Sequence, residues 1–310
     1  MKIVVTARNY DLRCVEYMKN EGFEVEVYDG CLDMNEDELY QCVKDADAVI
    51  VGIERYQRSL LERLPRLKVV SRRGIGFDSV DVEACQKLGI TFTRAVGAVE
   101  APVAEQVMAY ILYFARRVDQ QSTLLKAGYW LRRNQLGARG RTLGLIGFGG
   151  IGKEIAKRAL SFDMRVIATS HHDIIGSHIN GVEILSEDEV LKQSDFVSIN
   201  IPLREDTYHY ANAHFFERMK KGSYFINISR GKVADTQALV EALDRHHLAG
   251  CATDVFEYEP CIDSPLSKFG DQVILTPHSC PFTDYDEFQM NMTSAKNTVE
   301  ALKKRILYNK

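Results

Sequence analysis

Short apolar runs alternate with amphipathic stretches along most of this chain. Runs at residues 3–6, 48–51, 68–71, 142–147, 165–169, 196–201, 224–228 and 273–276 have the length and composition of buried strands. Between them, residues 11–20, 80–88, 151–162 and 236–245 repeat apolar positions at helical spacing. Strand–helix alternation of this kind predicts an α/β fold, with doubly wound parallel sheets covered by helices on both faces. One stretch breaks the rhythm. From Pro102 to about residue 127 the pattern predicts a single long helix. Val103, Val107, Met108, Tyr110, Ile111, Leu112, Tyr113, Phe114 and Val118 make it apolar on more than one face. Such a helix needs cover on more than one side, between domains or against a second subunit. Another long helix is expected from Tyr285 to about Leu307.

A chain of 310 residues is long enough for two ordinary domains. A hydrophobic share of 45% and a charged share of 26% fit a soluble globular protein. The formal net charge of -4 gives neither a basic field for nucleic acid nor a polybasic membrane anchor. The start, Met1-Lys2-Ile3-Val4-Val5, turns polar at once and lacks the apolar core of a signal peptide. No apolar run is long enough to span a bilayer. A cytoplasmic location is the expectation. The seven cysteines are odd in number and scattered, with no Cys-x-x-Cys, so neither a disulfide framework nor a metal site is expected.

The first chemical signal is Gly147-Phe148-Gly149-Gly150-Ile151-Gly152, which carries glycines at the three positions of G-x-G-x-x-G. A strand pattern precedes it and a helical one follows, the setting in which this motif binds a dinucleotide. Gly147 suits the tight turn, Gly149 a close backbone approach to pyrophosphate, and Gly152 the packing of helix on strand. The helix start at Gly150 and Ile151 then offers N–H groups and a positive dipole end to phosphates. An NAD site usually has an acid at the end of the next strand, gripping the ribose hydroxyls. Here that strand runs into Ser170-His171-His172-Asp173. Ser170, His171 and His172 suit a 2′-phosphate, while Asp173 is placed to fold back onto the ribose. The cofactor is therefore expected to be NAD or NADP, with a lean towards NADP tolerance.

Hydride transfer between such a dinucleotide and a carbonyl needs a cation to draw charge from the oxygen, a general acid, and a group that keeps the acid charged. Of eight histidines, seven, His209 among them, lie in polar stretches where a surface position is the plainer reading. His278 stands at the end of a strand pattern, where open sheets present functional groups. Arg230 follows the strand pattern ending at Ile228. Glu257 and Glu259 both lie in the stretch after Asp254, and spacing alone does not choose between them.

These pieces together resemble the D-2-hydroxyacid dehydrogenase family, which includes glycerate, lactate and phosphoglycerate dehydrogenases. The resemblance runs from Ser71-Arg-Arg-Gly-Ile-Gly-Phe-Asp78 through Val103-Ala-Glu-Gln106, Gly147–Gly152, Ile201-Pro-Leu203, Asn227–Gly231 and Asp254–Pro260 to Thr276-Pro-His278. It implies interconversion of a D-2-hydroxy acid and its 2-keto acid with NAD(P)(H). It implies that Arg230 binds the substrate carboxylate and carbonyl, that His278 is the acid/base, and that Glu259 rather than Glu257 pairs with His278. A carboxylate there favours the protonated imidazole and orients it. Backbone N–H groups of Ile75 and Gly76 are implied to hold the substrate carboxylate, Asp254 the nicotinamide carboxamide, and Pro202, Thr207 and Ile228 to flank the cofactor. A Rossmann cofactor domain, roughly 96–284, is implied to be inserted into a flavodoxin-like substrate domain of residues 1–95 plus 285–310. The active site is then a cleft that closes over substrate, and the helix from Pro102 is a homodimer contact.

Two departures from the family pattern bear on specificity. Ser279-Cys280-Pro281-Phe282 follows His278, where small residues are usual, and Ser170 replaces the usual acid. Which 2-hydroxy acid is used stays open, and Arg55, Arg72, Arg73 and Arg94 are candidates for a second anionic group. Alternatives on the same fold are a phosphite- or formate-type dehydrogenase, or a nicotinamide-sensing corepressor-like protein; formate dehydrogenases carry glutamine where Glu259 stands. Cys261 and Cys280 each lie two residues beyond a member of the Glu259–His278 pair; two ordinary small residues are the plainer reading, and an oxidisable thiol pair is the alternative.

Overall fold

The computed structural model describes residues 1–28 and 34–308; Cys31 falls outside them. The chain divides into two compact units, Met1–Val99 with Phe282–Lys310, and Glu100–Pro281.

In the first unit, β1 (Lys2–Val5), β2 (Glu24–Val27), β3 (Ala48–Val51), β4 (Val69–Arg72) and β5 (Thr91–Arg94) form a parallel sheet in the order β2-β1-β3-β4-β5. That is the flavodoxin-like order. Alternation along β1 explains its two covered faces. Ile3 and Val5 pack with Cys14, Val15 and Met18 of helix α1 (Leu12–Asn20) and with Ala295, Val299 and Leu302 of the C-terminal helix α11 (Asp284–Tyr308). Val4 points the other way, to Leu39, Leu60 and Ala84 of α2 (Glu36–Val43), α3 (Arg58–Leu61) and α4 (Val82–Lys87). The expected C-terminal helix is present at its full length.

In the second unit, β6 (Thr142–Ile146), β7 (Arg165–Thr169), β8 (His178–Ile179), β9 (Val182–Ile184), β10 (Phe196–Ile199), β11 (Tyr224–Asn227), β12 (Gly250–Thr253) and β13 (Val273–Leu275) form one sheet. Its order is β13-β12-β11-β10-β6-β7-β9-β8. Starting at β6 the chain winds out through β7 and β9, then returns to β10 on the other side, the Rossmann pattern with its switch point between β6 and β10. Every pairing is parallel except β8 with β9, a short antiparallel hairpin at the edge. Phe196, Ile226 and Ala252 face α5 (Glu100–Arg116) and α7 (Gly150–Ser161). Val197, Phe225 and Cys251 face α8 (Glu187–Gln193), α9 (Ala213–Arg218) and α10 (Thr236–Asp244).

The single helix expected from Pro102 is two. α5 ends at Arg116, Arg117 takes a left-handed conformation (φ 45°), and α6 (Val118–Lys126) starts anew. The Arg117 guanidinium donates to the carbonyl of Asp271 and lies over the Phe114 ring, which holds the break. The apolar faces of α5 are already covered within its own unit: Val107, Ile111 and Phe114 are buried and Phe114 stacks on Tyr224 at 4.6 Å. α6, by contrast, buries none of its residues. Among the described residues, no helix is long and apolar enough to cross a membrane.

Candidate active site

The site is assembled at the carboxyl ends of the parallel strands of the second unit. Asp254, just beyond β12, is 1% exposed. Its Oδ1 accepts from the Thr276 hydroxyl (2.6 Å) and the Ser279 N–H (2.9 Å), and its Oδ2 accepts from the Cys280 N–H (3.0 Å). Its main-chain carbonyl accepts from the His278 N–H at 2.8 Å. These bonds fold the chain after β13 into a turn with His278 in the left-handed region (φ 52°). The expected nicotinamide contact, Asp254, thus spends both carboxylate oxygens on shaping that turn.

His278 Nδ1 lies 2.8 Å from Glu259 Oε2, and Glu259 Oε1 accepts from the Phe256 N–H at 2.9 Å. Burial pushes the Glu259 carboxyl up, but His278, the Phe256 N–H and the Arg230 charge outweigh it and hold the carboxyl below its usual range. An ionised carboxylate only accepts, so the ring proton sits on Nδ1 and Nε2 is left for exchange.

Arg230 leaves β11 on a braced loop. Asn227 accepts from the N–H and hydroxyl of Ser229 (3.0 and 2.9 Å) and donates to the Arg230 carbonyl (3.1 Å). Arg230 itself donates from Nη1 to the Ser229 carbonyl at 2.8 Å. Gly231 must be glycine: a Cβ there would stand 1.8 Å from the backbone carbon of Phe256. Arg230, Glu259 and His278, separated by up to 48 residues in the chain, are thereby held on neighbouring loops of one unit.

The Gly147 turn lies at the end of β6. Gly147 has φ 98° and donates to the Thr169 hydroxyl at 3.1 Å, tying the turn to the tip of β7. A Cβ on Gly152 would meet the Gly147 carbonyl at 2.6 Å, so helix and strand touch there. A Cβ on Gly149 would meet nothing within 4 Å, which leaves open space above the turn. The first N–H groups of α7, at Gly150, Ile151 and Gly152, have no intrahelical acceptor and form the positive end of the helix dipole. At the tip of β7, Ser170 donates to Asp173 Oδ2 at 2.6 Å and accepts from the N–H groups of His172 and Asp173, both at 3.2 Å. A carboxylate is therefore folded back to that tip, while His171 and His172 are exposed. Beyond β10, the Thr207 hydroxyl donates to the Pro202 carbonyl at 2.7 Å, which brings those two together; Ile228 is buried beside β11.

Ile75 and Gly76 lie in the first unit, after β4. Ile75 packs on Ala95, Ala98, Val99 and Met290. The candidate arginines there are largely engaged. Arg72 donates to the Arg73 carbonyl, Arg73 to the Arg8 carbonyl and Asn291, and Arg94 to the Ile75 carbonyl. Cys261 and Cys280 do not pair. Both cysteines are free. Cys280 is buried on the α5 side of the sheet, whereas Cys261 borders Phe225, Leu239 and Leu266 on the opposite side. His209, read from sequence as a surface residue, is half-buried with Nε2 3.0 Å from Glu257 Oε2. Only its partner, 48 residues away, reveals it. Among the described residues, no cluster of three or more His, Cys, Asp or Glu is able to hold a metal ion.

The family model for the NAD-binding domain of D-isomer specific 2-hydroxyacid dehydrogenases matches residues 108–280, over half of the chain. The chain belongs to this family. It is similar to the glyoxylate reductase of Thermococcus onnurineus (strain NA1), with 36% identity over 273 residues, 84% of this chain and 81% of that protein. Among solved structures, it resembles D-lactate dehydrogenase from Aquifex aeolicus complexed with NAD and lactic acid, with TM-score 0.80 and 28% identity over 99% and 95% of the two chains. It also resembles an acyclic imino acid reductase in complex with NADPH and D-Arg, with TM-score 0.87 and 26% identity over 98% of each. As a member of the D-2-hydroxyacid dehydrogenase family, the chain is an oxidoreductase that moves hydride between a nicotinamide cofactor and a 2-hydroxy acid/2-keto acid pair.

The lowered Glu259 carboxyl predicts a pH signature. Its contribution to stability is fully present above the ordinary carboxylate value and is lost as pH falls through the lowered one. The stability gap between wild type and Glu259→Gln, read by urea unfolding, should therefore shrink as pH falls through the acid range. A gap that widens in acid would contradict the assignment.

Proposed function

We propose that Arg230, Glu259 and His278 reduce a short 2-keto acid to its D-2-hydroxy acid and catalyse the reverse. The observation that carries this is the Glu259 bond to His278 Nδ1, which leaves Nε2 as the proton-exchange atom on a loop beside a cation. Arg230 grips the carboxylate and draws charge from the carbonyl oxygen. His278, with both ring nitrogens protonated, gives the Nε2 proton to that oxygen as it becomes an alkoxide, and Glu259 stabilises the charged ring before transfer. In oxidation the neutral ring takes the proton back.

The residues present fit a dinucleotide, because Gly149 leaves room above the turn and α7 begins there with N–H groups that no carbonyl of the helix accepts from. When bound there, the nicotinamide group supplies or accepts the hydride. Asp254, Ile228, Pro202 and Thr207 form its surroundings in this reading. Relatives named glyoxylate reductase support a short substrate, as does the engagement of Arg72, Arg73 and Arg94 in main-chain bonds. Free thiols throughout the described cysteines fit a reducing, cytoplasmic setting.

Asp173 refines the cofactor choice. Ser170 alone leans towards NADP, but the carboxylate bonded to it puts negative charge at the β7 tip, where a 2′-phosphate would be repelled. NADH is the proposed partner. A second copy of this chain is the proposed protein partner. It would cover α6 and the exposed Tyr129-Trp130-Leu131, where Trp130 is 73% exposed.

Three measurements check these statements. With NADH, a panel of 2-keto acids including glyoxylate should show turnover, and Arg230→Ala and His278→Ala should each lose at least about 10²-fold in kcat/KM. Silence across the panel despite cofactor binding would move the reading to phosphite-type oxidation or to a sensor. Asp173→Asn should narrow the NADH-over-NADPH preference by about tenfold, roughly 1.4 kcal/mol; an unchanged ratio would remove Asp173 from cofactor choice. Wild type should sediment as a dimer and Trp130→Asp/Leu131→Asp as a monomer; a wild-type monomer would contradict the assembly.

A further inference from the structure

Glu257 has no place in the chemistry proposed above, yet three loops of the site meet on it. It lies on the strap of residues 254–259 that carries Glu259. Its Oε1 accepts from the Thr236 N–H at 3.0 Å, at the start of α10, so it anchors the segment that follows Arg230. Its Oε2 stands 3.0 Å from His209 Nε2. His209 belongs to the loop that continues from Thr207, and its own N–H donates to the Lys232 carbonyl at 2.8 Å. The carboxylate is thus shared by the loops bearing Thr207, Arg230 and Glu259.

Packing does not hold the strap in place by itself. An open pocket of about 250 Å³ adjoins it, bordered by Phe256, Glu257, Tyr258, Cys261 and Leu266. Tyr258 points out, 80% exposed. The Phe256 backbone also presses on Gly231, the neighbour of Arg230. A strap that borders an open pocket and is packed closely at one backbone contact depends on polar tethers for its register. Phe256, one residue from Glu257, donates the N–H that holds Glu259 Oε1. A shift of the strap therefore reaches Glu259, and through it His278.

We infer that Glu257, with His209, is a positioning residue that sets the strap so that Glu259 meets His278 Nδ1. This rests on the proposed catalytic roles of Glu259 and His278. The test is a double-mutant cycle with an independent structural readout. Glu257→Gln should lower kcat about tenfold in wild type but less than twofold in a Glu259→Gln background, because the tether then has nothing to position. In the cofactor-free protein, hydrogen exchange of the 254–260 segment should speed up in Glu257→Gln, with the melting temperature showing that the variant is folded. Equal losses in both backgrounds, no loss in wild type, or unchanged exchange would each overturn the inference. The two readings fail separately: a wild type without turnover defeats the proposed reaction, while exchange still decides whether Glu257 holds the strap.

Discussion

A carboxylate with 1% exposure must find its donors inside the protein, and Asp254 finds them in the turn that carries His278. An unpaired buried charge costs several kcal/mol, so the three donors are close to obligatory. They hold His278 in a left-handed conformation that costs a non-glycine residue about 1–2 kcal/mol. The strain is local and the compensation comes from Asp254, two strands' ends joined by one side chain. With the backbone of His278 set, the ring needs one more partner to define which nitrogen is available. Glu259 supplies it.

The rest of the site follows from parallel strands ending on one edge. β6 delivers the Gly147 turn, β7 delivers Ser170 with Asp173, and β10 delivers Pro202 and Thr207. β11 delivers Arg230, β12 delivers Asp254 and the strap with Glu259, and β13 delivers His278. Each residue is short-range relative to its own strand and long-range relative to the others. The sheet does the gathering, which is why open α/β sheets bind ligands beyond their carboxyl ends near a switch in strand order.

Legibility in the sequence followed the same division. Gly147, Gly149 and Gly152 were readable because their spacing encodes backbone needs within six residues. Strands such as β6, β10 and β11 were readable because they are apolar on both faces. β2, with the sequence Glu-Val-Glu-Val, and β12, with Gly-Cys-Ala-Thr, lack that mark and take their identity from their neighbours. The break at Arg117 was hidden because an arginine gives no hint of a left-handed residue, and the apolar pattern runs straight through it. The β8–β9 hairpin is too short to show a period. The choice of Glu259 over Glu257 came from family resemblance, and geometry gives each glutamate a different histidine, His278 and His209. No local pattern marks such pairs, since their members are far apart in sequence.

Reduction of pyruvate with NADH carrying deuterium at both C4 positions, followed by mass spectrometry and chiral separation of the product, bears most directly on the chemistry proposed for Arg230 and His278. Direct hydride delivery to a carbonyl steadied by Arg230, with His278 protonating only the oxygen, predicts one deuterium at C2 and a D-configured hydroxy acid. Deuterium lost to solvent, or an L-configured product, would contradict it.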